Sequence, residues 1–193
     1  MNPVLVLALV ATLLSMLHMI APDHWIPLTA LSLKKSFSTK RVRVIAFLLG
    51  FLHGVTSTAL ALIVVFFGVY AFGTKEIRIA SVIIIIVVAI YILINSIRES
   101  HEKKGFENTS LLVSVFPDPA FLPILLAAAS YGYFSISLIS VVFVISSAIF
   151  LLLIVALVNI GLIKGLSRVS PMTVDRIVVI ALLLTAAYIY FYG

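Results

Sequence analysis

The stretch Val82–Ile94 reads VIIIIVVAIYILI and lies within an apolar run from Ile77 to Ile97. Its β-branched residues would favour a strand in water. The run, however, has the length of about 20 residues that a helix needs to cross a bilayer. In lipid, an open-ended segment satisfies its backbone hydrogen bonds only as a helix. The stretch therefore predicts a transmembrane helix.

The composition of the whole chain agrees with this prediction. Of its 193 residues, 63% are hydrophobic and 10% are charged, whereas soluble domains carry about 45–50% apolar and about 25% charged residues. The length suits one domain, residues 1–193. The net charge of +6 lies in short segments between apolar runs, which predicts membrane lipids and not nucleic acid as partners. The lack of cysteine excludes thiolate ligands and disulfides.

Six apolar runs predict an all-α integral membrane protein with about six transmembrane helices. The predicted spans cover residues 3–21, 44–72, 77–97, 111–131, 134–163 and 174–192, and the fourth is interrupted at Pro117-Asp118-Pro119. Eleven of the 13 lysines and arginines fall after spans one, three and five. Basic loops stay in the cytoplasm, so we expect a multi-pass protein of the cell membrane with both termini outside.

The two halves of the chain, residues 1–97 and 98–193, resemble each other. Residues Ser15–Asp23 read SMLHMIAPD and residues Ser110–Asp118 read SLLVSVFPD, so each serine lies seven residues before a proline-aspartate pair. Three predicted spans per half mean that a duplicated half is inverted relative to its partner. Inverted repeats with interrupted helices are typical of transporters. The alternative is chance similarity between apolar segments.

His18, Asp23 and His24 form the first candidate site. On an unbroken helix, His18 and Asp23 would lie about 140° apart. Pro22 has no N–H to donate to the carbonyl of His18, and Pro27 likewise leaves the carbonyl of Asp23 without its helical hydrogen-bond donor. The sequence therefore predicts a broken helix, in which the three side chains can turn toward one point. It also predicts bare carbonyls that require a polar cavity.

His53 in the second span offers a further imidazole. Thr56 and Ser57 follow it at the spacing that places them on the same helix face, where we expect them to support the site. Gly50 and Gly54 form a GxxxG pair that allows another helix to approach closely. The alternative for His53 is a structural hydrogen-bond donor between helices.

Asp118 offers a carboxylate from the second half. It stands between Pro117 and Pro119, which interrupt the helix as Pro22 does in the first half. The alternative is that Asp118 caps the helix that follows. For His24 and its neighbour Trp25, the alternative is a position at the membrane interface.

These residues make a donor set of imidazole nitrogens and carboxylate oxygens. The set suits divalent Ni, Co, Zn and Fe, and without sulfur it argues against Cu(I). Ligand imidazoles must be neutral, so binding is expected to weaken as pH falls. The sequence contains no H-E-x-x-H metalloprotease motif, and we do not expect an enzyme.

The motif His18-x4-Asp23-His24 resembles the H-x4-D-H signature of the nickel/cobalt transporter families. Its Ala-Pro-Asp-His form is most similar to the small NicO and urease-accessory-like branch. The segment from Gly50 to Ser57 resembles that family's second span, and the proline-flanked Asp118 resembles the motif that opens the second half. The wider LysE-type superfamily consists of inverted three-helix halves.

The resemblance implies that His18, Asp23 and His24 bind the metal, with His53 as a further ligand, whereas the ligand role of Asp118 is inferred from its position. It also implies a secondary transporter that works by alternating access, with Ni²⁺ or Co²⁺ as the favoured substrate and no prosthetic group. Zn²⁺ and Fe²⁺ stay open, as do a homo-oligomer and an accessory subunit.

This sequence departs from the resemblance in two respects. The larger nickel/cobalt permeases have eight spans, whereas six are predicted here. Related exporters carry a histidine-rich cytoplasmic loop, whereas residues 98–109 contain only one histidine, His101. Two alternatives are a LysE-type exporter of a small organic solute and a membrane metal sensor or accessory protein that binds without translocating.

Overall fold

The computed structural model describes residues 2–71, 74–101, 115, 117–159 and 171–192, without the side chains of residues 22–23, 68–71, 74–75, 78, 95–96, 99–101, 171 and 192. In these ranges all regular structure is helical. The α-helices are α1 (Pro3–Ile20), α2 (Pro22–Lys34), α3 (Thr39–Ala71), α4 (Thr74–His101), α5 (Phe121–Ala129), α6 (Tyr133–Asn159) and α7 (Pro171–Tyr192).

Four of these helices contain segments long and apolar enough to cross a membrane. The segments are Pro3–Ile20, Thr39–Phe67, Tyr133–Asn159 and Met172–Phe191. In α4 the corresponding apolar segment, Ile79–Ile94, is shorter, and α5 has only nine residues, compared with the about 20 that a span needs. The all-helical architecture is confirmed, whereas the predicted count of six spans is not established.

The predicted break in the first apolar run lies between α1 and α2. α1 ends at Ile20, and Ala21 adopts φ −57° and ψ 134°, which is outside the helical region. Pro22 is then the first residue of α2, a position where its missing N–H is harmless. Only Ala21 separates α1 from α2, so the two helices are joined without a longer loop.

Two carbonyls at this break are bonded within the protein, which corrects the expectation that the carbonyl of His18 is bare; the expectation for the carbonyl of Asp23 stays a prediction. The N–H of Ala21 donates to the carbonyl of His18 at 3.0 Å. The indole Nε1–H of Trp25 donates to the carbonyl of Ile20, also at 3.0 Å. Pro27 lies inside α2 and does not end it. The break therefore needs no water at these two carbonyls.

The second proline-flanked segment precedes α5. Pro117 and Asp118 are not helical, and α5 begins at Phe121 after a turn. Nearly all residues of α5 are buried, and the ring of Phe121 stacks on Phe143 of α6 with centroids 3.8 Å apart. α5 is thus a short helix enclosed by the longer ones. Apart from Val115, residues 102–116 lie outside the described part of the chain, so the first part of the predicted repeat sequence there is not described.

The most extensive contacts between helices are those of α3 with α6 and of α4 with α7. α3 and α6 approach closely at the predicted GxxxG pair. A Cβ on Gly50 would collide with the backbone oxygen of Ser147, and one on Gly54 would lie 2.8 Å from the Cα of Val144. As the residue number rises along α3, it falls along α6, so the two helices are antiparallel. The close approach predicted from the glycine spacing is confirmed.

Ser147 also joins α6 to α1. Its Oγ–H donates to the carbonyl of Phe143 at 2.9 Å, and its Oγ lies 3.0 Å from the Oγ of Ser15. Because the proton of Ser147 is directed to Phe143, Ser15 is the donor in the hydroxyl pair. Ser147 is therefore a point where α1, α3 and α6 meet.

Large apolar side chains cover the outer faces of the long helices. Phe66 on α3, Ile83 on α4 and Leu184 on α7 are among the exposed ones. A soluble protein rarely exposes apolar patches of this extent, whereas lipid solvates them. The outer surface agrees with a position in a membrane.

We predict that Gly54→Ala destabilises the protein. Helix propensity alone would favour alanine by about 1 kcal/mol, but the new Cβ meets a backbone atom of α6 that moves only with its helix. Overpacking of this kind costs about 1–3 kcal/mol. Thermal unfolding in detergent measures the effect, with Ala59→Leu on the exposed side of α3 as the control. A midpoint equal to or above that of the wild type would contradict the prediction.

Candidate metal centre

Three histidines from three helices meet in one cluster. His18 lies in the last turn of α1, His24 in the first turn of α2 and His53 near the middle of α3. One potential ligand atom from each lies within 4.8 Å of the other two. The closest described pair is Nε2 of His18 and Nε2 of His24, which are 3.0 Å apart. The sequence predicted that His18, Asp23 and His24 turn toward one point and that His53 is a further ligand; the structure brings the three histidines of this set together.

The break between α1 and α2 explains how two histidines from adjacent segments meet. On a continuous helix, His18 and His24 would lie about 120° apart around the helix axis. The single extended residue Ala21 changes the direction of the chain between them. The ring centroids of His18 and His24 are consequently 4.6 Å apart, and each lies about as near to His53, at 5.0 and 5.1 Å.

Two of the three histidines in the cluster are buried. His24 and His53 are 2% and 0% exposed, whereas the side chain of His18 is 28% exposed. Trp25 is buried as well, against Met19 and Leu28. His24 and Trp25 therefore lie in the protein interior, while the interface alternative, which concerns their depth in the membrane, stays a prediction. Of the three imidazoles, that of His18 is the one that is partly exposed.

The spacing of the cluster is close to that of a bound ion. Nitrogen ligands lie about 2.0–2.1 Å from a metal such as zinc, so two of them on one ion are at most about 4.2 Å apart. The three ligand atoms lie within 4.8 Å of one another, and ring movements below about 1 Å would bring them all within this limit. Three imidazole ligands with further positions open suit a divalent transition metal.

Asp118 lies near the Nδ1 edge of the His18 ring. Its Oδ2 is 3.9 Å from Nδ1 of His18, while the Nε2 of the same ring faces His24. The two nitrogens are at different edges of the imidazole, so Asp118 is on the side of the ring away from His24. The side chain of Asp118 is buried.

The other oxygen of Asp118 holds the turn before α5. Its Oδ1 accepts the backbone N–H of Ala120 at 2.8 Å, which is the local bond of an Asx turn. The capping alternative thus describes one oxygen of this carboxylate. The second oxygen remains directed toward His18, and the two roles are compatible.

Thr56 and Ser57 attach the Asp118 segment to α3. Ser57 Oγ donates to the carbonyl of His53 and accepts the backbone N–H of Asp118, both at 2.8 Å. Thr56 Oγ1 lies 2.7 Å from the carbonyl oxygen of Val115 and 3.0 Å from that of His53. Their predicted supporting role is structural: they fix the position of Asp118 one helical turn beyond His53.

The remaining predicted site residues have less direct places. The side chain of Asp23 is outside the described part of the structure, so its ligand role stays a prediction. Pro22 begins α2, and Pro117 and Pro119 flank the buried Asp118. Sequence reasoning missed Trp25, whose indole holds the carbonyl of Ile20. A tryptophan just after a proline break was the available signal for such a bond.

No protein-family model matches this chain. Searches of curated proteins and of solved structures also found no match. The geometry of the cluster and the sequence motifs therefore carry the functional argument.

We predict that His24→Ala and His53→Ala each weaken metal binding by more than about 100-fold, because loss of a group behind a ligand already costs about 10–100-fold. The sole tryptophan, Trp25, follows His24 directly, so quenching of its fluorescence by Co²⁺ or Ni²⁺ reports binding. His101→Ala, at the end of α4, is the control. Equal affinity in the His24, His53 and His101 variants would contradict the site.

Proposed function

We propose that this protein is a secondary transporter of a divalent transition-metal cation, with Ni²⁺ or Co²⁺ as the favoured substrate. The observation that carries the proposal is the meeting of His18, His24 and His53, two of them buried, in a protein whose described residues include four helices suited to crossing a membrane. Ionisable side chains at membrane depth are costly and mark ion pathways.

The sequence motif supports the choice of substrate. His18 and His24 belong to the H-x4-D-H motif that resembles the nickel/cobalt transporter families, and His53 belongs to the segment that resembles their second span. The cluster offers nitrogen donors, which these metals accept readily. Zn²⁺ and Fe²⁺ accept the same donors and are further candidates.

The arrangement of helices supports alternating access. In chain order, the first half contains a broken segment, α1 and α2, followed by the long helices α3 and α4; the second contains the interrupted segment before α5, followed by α6 and α7. We assign these two sets as inverted repeats. The main contacts pair α3 with α6 and α4 with α7, so that each pair joins corresponding helices. Rocking of one half against the other would then change the side from which the cluster is reached.

The partial exposure of His18 gives the order of binding. A hydrated cation reaches His18 first, because the other two imidazoles are covered. It then exchanges further water for the nitrogens of His24 and His53. No ATP-binding motif is present in the sequence, so an ion gradient or a partner supplies the energy of transport.

Asp118 takes the role of a positioning residue in this proposal. In this structure Oδ2 of Asp118 lies 3.9 Å from Nδ1 of His18, which is beyond hydrogen-bond distance. A small shift of the His18 ring on metal binding would let the carboxylate accept the Nδ1–H and leave Nε2 available to the ion. Histidine ligands commonly have such a partner, which fixes the tautomer and makes the ring a better donor. The 3.9 Å separation from Nδ1 and the position away from His24 favour this role over direct ligation. The second half would thus act on the ion through His18.

We predict that Asp118→Asn weakens Co²⁺ binding by about 10–100-fold while leaving the ligand set intact. Asparagine keeps an oxygen for the N–H of Ala120, so the turn before α5 is retained. The absorption spectrum of the Co²⁺-saturated variant should match that of the wild type. A spectrum with a changed coordination pattern would show instead that Asp118 is a ligand. Asp175→Asn in α7 is the control for the loss of one carboxylate.

Metal flux into proteoliposomes tests the proposed function itself. We expect uptake of Ni²⁺ or Co²⁺ by the wild type and by His101→Ala, and loss of uptake in His18→Ala and His53→Ala, because the ion loses its intermediate binding site. An encapsulated metal-sensitive dye provides the measurement. Metal binding without any flux in the wild type would reject transport and favour the sensor or accessory alternative. Flux of an organic solute without a metal effect would favour the LysE-type exporter.

A further inference from the structure

Several buried hydroxyl groups on the described helices donate to a carbonyl four residues earlier. They belong to Ser57, Ser135, Ser147 and Thr185. Thr58 on α3 and Ser140 on α6 differ from this pattern. They are 8% and 9% exposed, and neither hydroxyl has a hydrogen-bond partner among the described residues.

The packing register places these two hydroxyls opposite each other. Gly50 contacts Ser147, and Gly54, one turn later on α3, contacts Val144, one turn earlier on α6. Because the helices are antiparallel, the next turn pairs Thr58 with Ser140. Four residues correspond to a rise of about 6 Å on each helix. The two unpaired groups therefore share one place, just past the close glycine contacts.

The unbonded hydroxyls of Thr58 and Ser140 favour the binding of a small polar group near them. Leaving a buried hydroxyl without a partner costs about 1–3 kcal/mol, and the bonds of Ser57 and Ser135 show that a buried hydroxyl on α3 or α6 can reach its own preceding turn. The hydroxyls of Thr58 and Ser140 make no such bond, so a small polar group that bonds to both would remove this cost. Buried water typically makes about three hydrogen bonds to such groups.

A cavity begins one turn farther along the same two helices. Leu62, four residues after Thr58, and Ile136, four residues before Ser140, line a cavity of about 760 Å³. Ser137 and Tyr133 add polar groups to its wall. Thr58 and Ser140 do not line this cavity themselves; each lies one helical turn from it, on α3 and α6 respectively.

We propose that Thr58 and Ser140 form a second binding station, which holds water and, in transit, the divalent cation with part of its water shell. This inference rests on the proposed transport function. Thr58 follows His53 by five residues, which corresponds to about 7.5 Å along α3 and about 140° around it. The tight contact of Gly54 with Val144 lies between the two levels and separates the station from the histidines in this conformation.

The chemistry of the station suits a passing ion. Hydroxyl oxygens are neutral donors that bind a transition metal more weakly than imidazoles do. A site on a conduction route must be favourable enough to admit the ion and weak enough to release it. The histidine cluster would provide selectivity, and the hydroxyl pair would replace part of the water shell on the way to or from the cavity.

Cysteine labelling tests the station without reference to transport. The chain has no cysteine, so Thr58→Cys and Ser140→Cys each introduce a single thiol. We expect a small charged methanethiosulfonate to modify both at least about tenfold faster than Thr185→Cys, because reaction requires a water-accessible thiolate. Thr185 is also buried, at 3% exposed, and its hydroxyl is bonded within its own helix. Rates no higher than that of Thr185→Cys would overturn the station.

Separate measurements of binding and flux test its role. In the double variant Thr58→Val with Ser140→Ala, we expect Co²⁺ affinity at the histidines to stay unchanged by Trp25 fluorescence, while flux falls by about tenfold or more because the ion loses its second set of oxygens. Thr185→Val is the matched control. Unchanged flux in the double variant would overturn the transit role. Absence of flux in the wild type would instead reject the proposed function, whereas labelling at both positions would still identify a water-accessible site.

Discussion

The structure depends on keeping backbone polar groups satisfied where a helix is interrupted in an apolar setting. An unpaired carbonyl in lipid costs several kcal/mol, and the break after Ile20 would expose two of them. The N–H of Ala21 and the indole of Trp25 take up these carbonyls. Because the protein itself bonds these two carbonyls, α1 and α2 can present His18 and His24 to the same point at a lower cost.

The second interruption follows the same principle with different groups. Ser57 accepts the backbone N–H of Asp118, and Thr56 lies within hydrogen-bond distance of the carbonyl of Val115. The irregular segment is thus bonded to α3, the helix that carries His53. One consequence is that the backbone N–H of Asp118 and the backbone carbonyl of His53 are bonded to the same hydroxyl, that of Ser57. A metal site that draws on several helices gains its order from such shared supports.

Much of the fold could be predicted from the sequence, because apolar runs in lipid have only one regular structure. The limits of α3, α4, α6 and α7 agree with the predicted spans to within a few residues, and the break at Pro22 follows from the missing N–H. The nine-residue α5 was not foreseen, since its apolar sequence resembles part of a span. Burial of all its sides depends on neighbouring helices, which sequence periodicity does not reveal.

The candidate site was predictable in composition and less so in arrangement. His18, His24 and His53 stood out as imidazoles in apolar segments. That Asp118 faces the far edge of His18 depends on the direction of two side chains and on the turn at Ala120. Residue spacing cannot supply such directions. The hydroxyls of Thr58 and Ser140 were likewise invisible to the sequence, because their pairing follows from the register of α3 and α6.

The hydroxyl pair of Ser15 and Ser147 has a mechanical consequence. Ser15 precedes His18 by three residues and lies on the same face of α1, and it is bonded to the helix of the opposite half. The same residue of α6 presses its backbone oxygen against Gly50. A displacement of α6 would therefore pull on α1 and push on α3 at once, and it would spread or tighten the imidazoles even though α6 provides none of them.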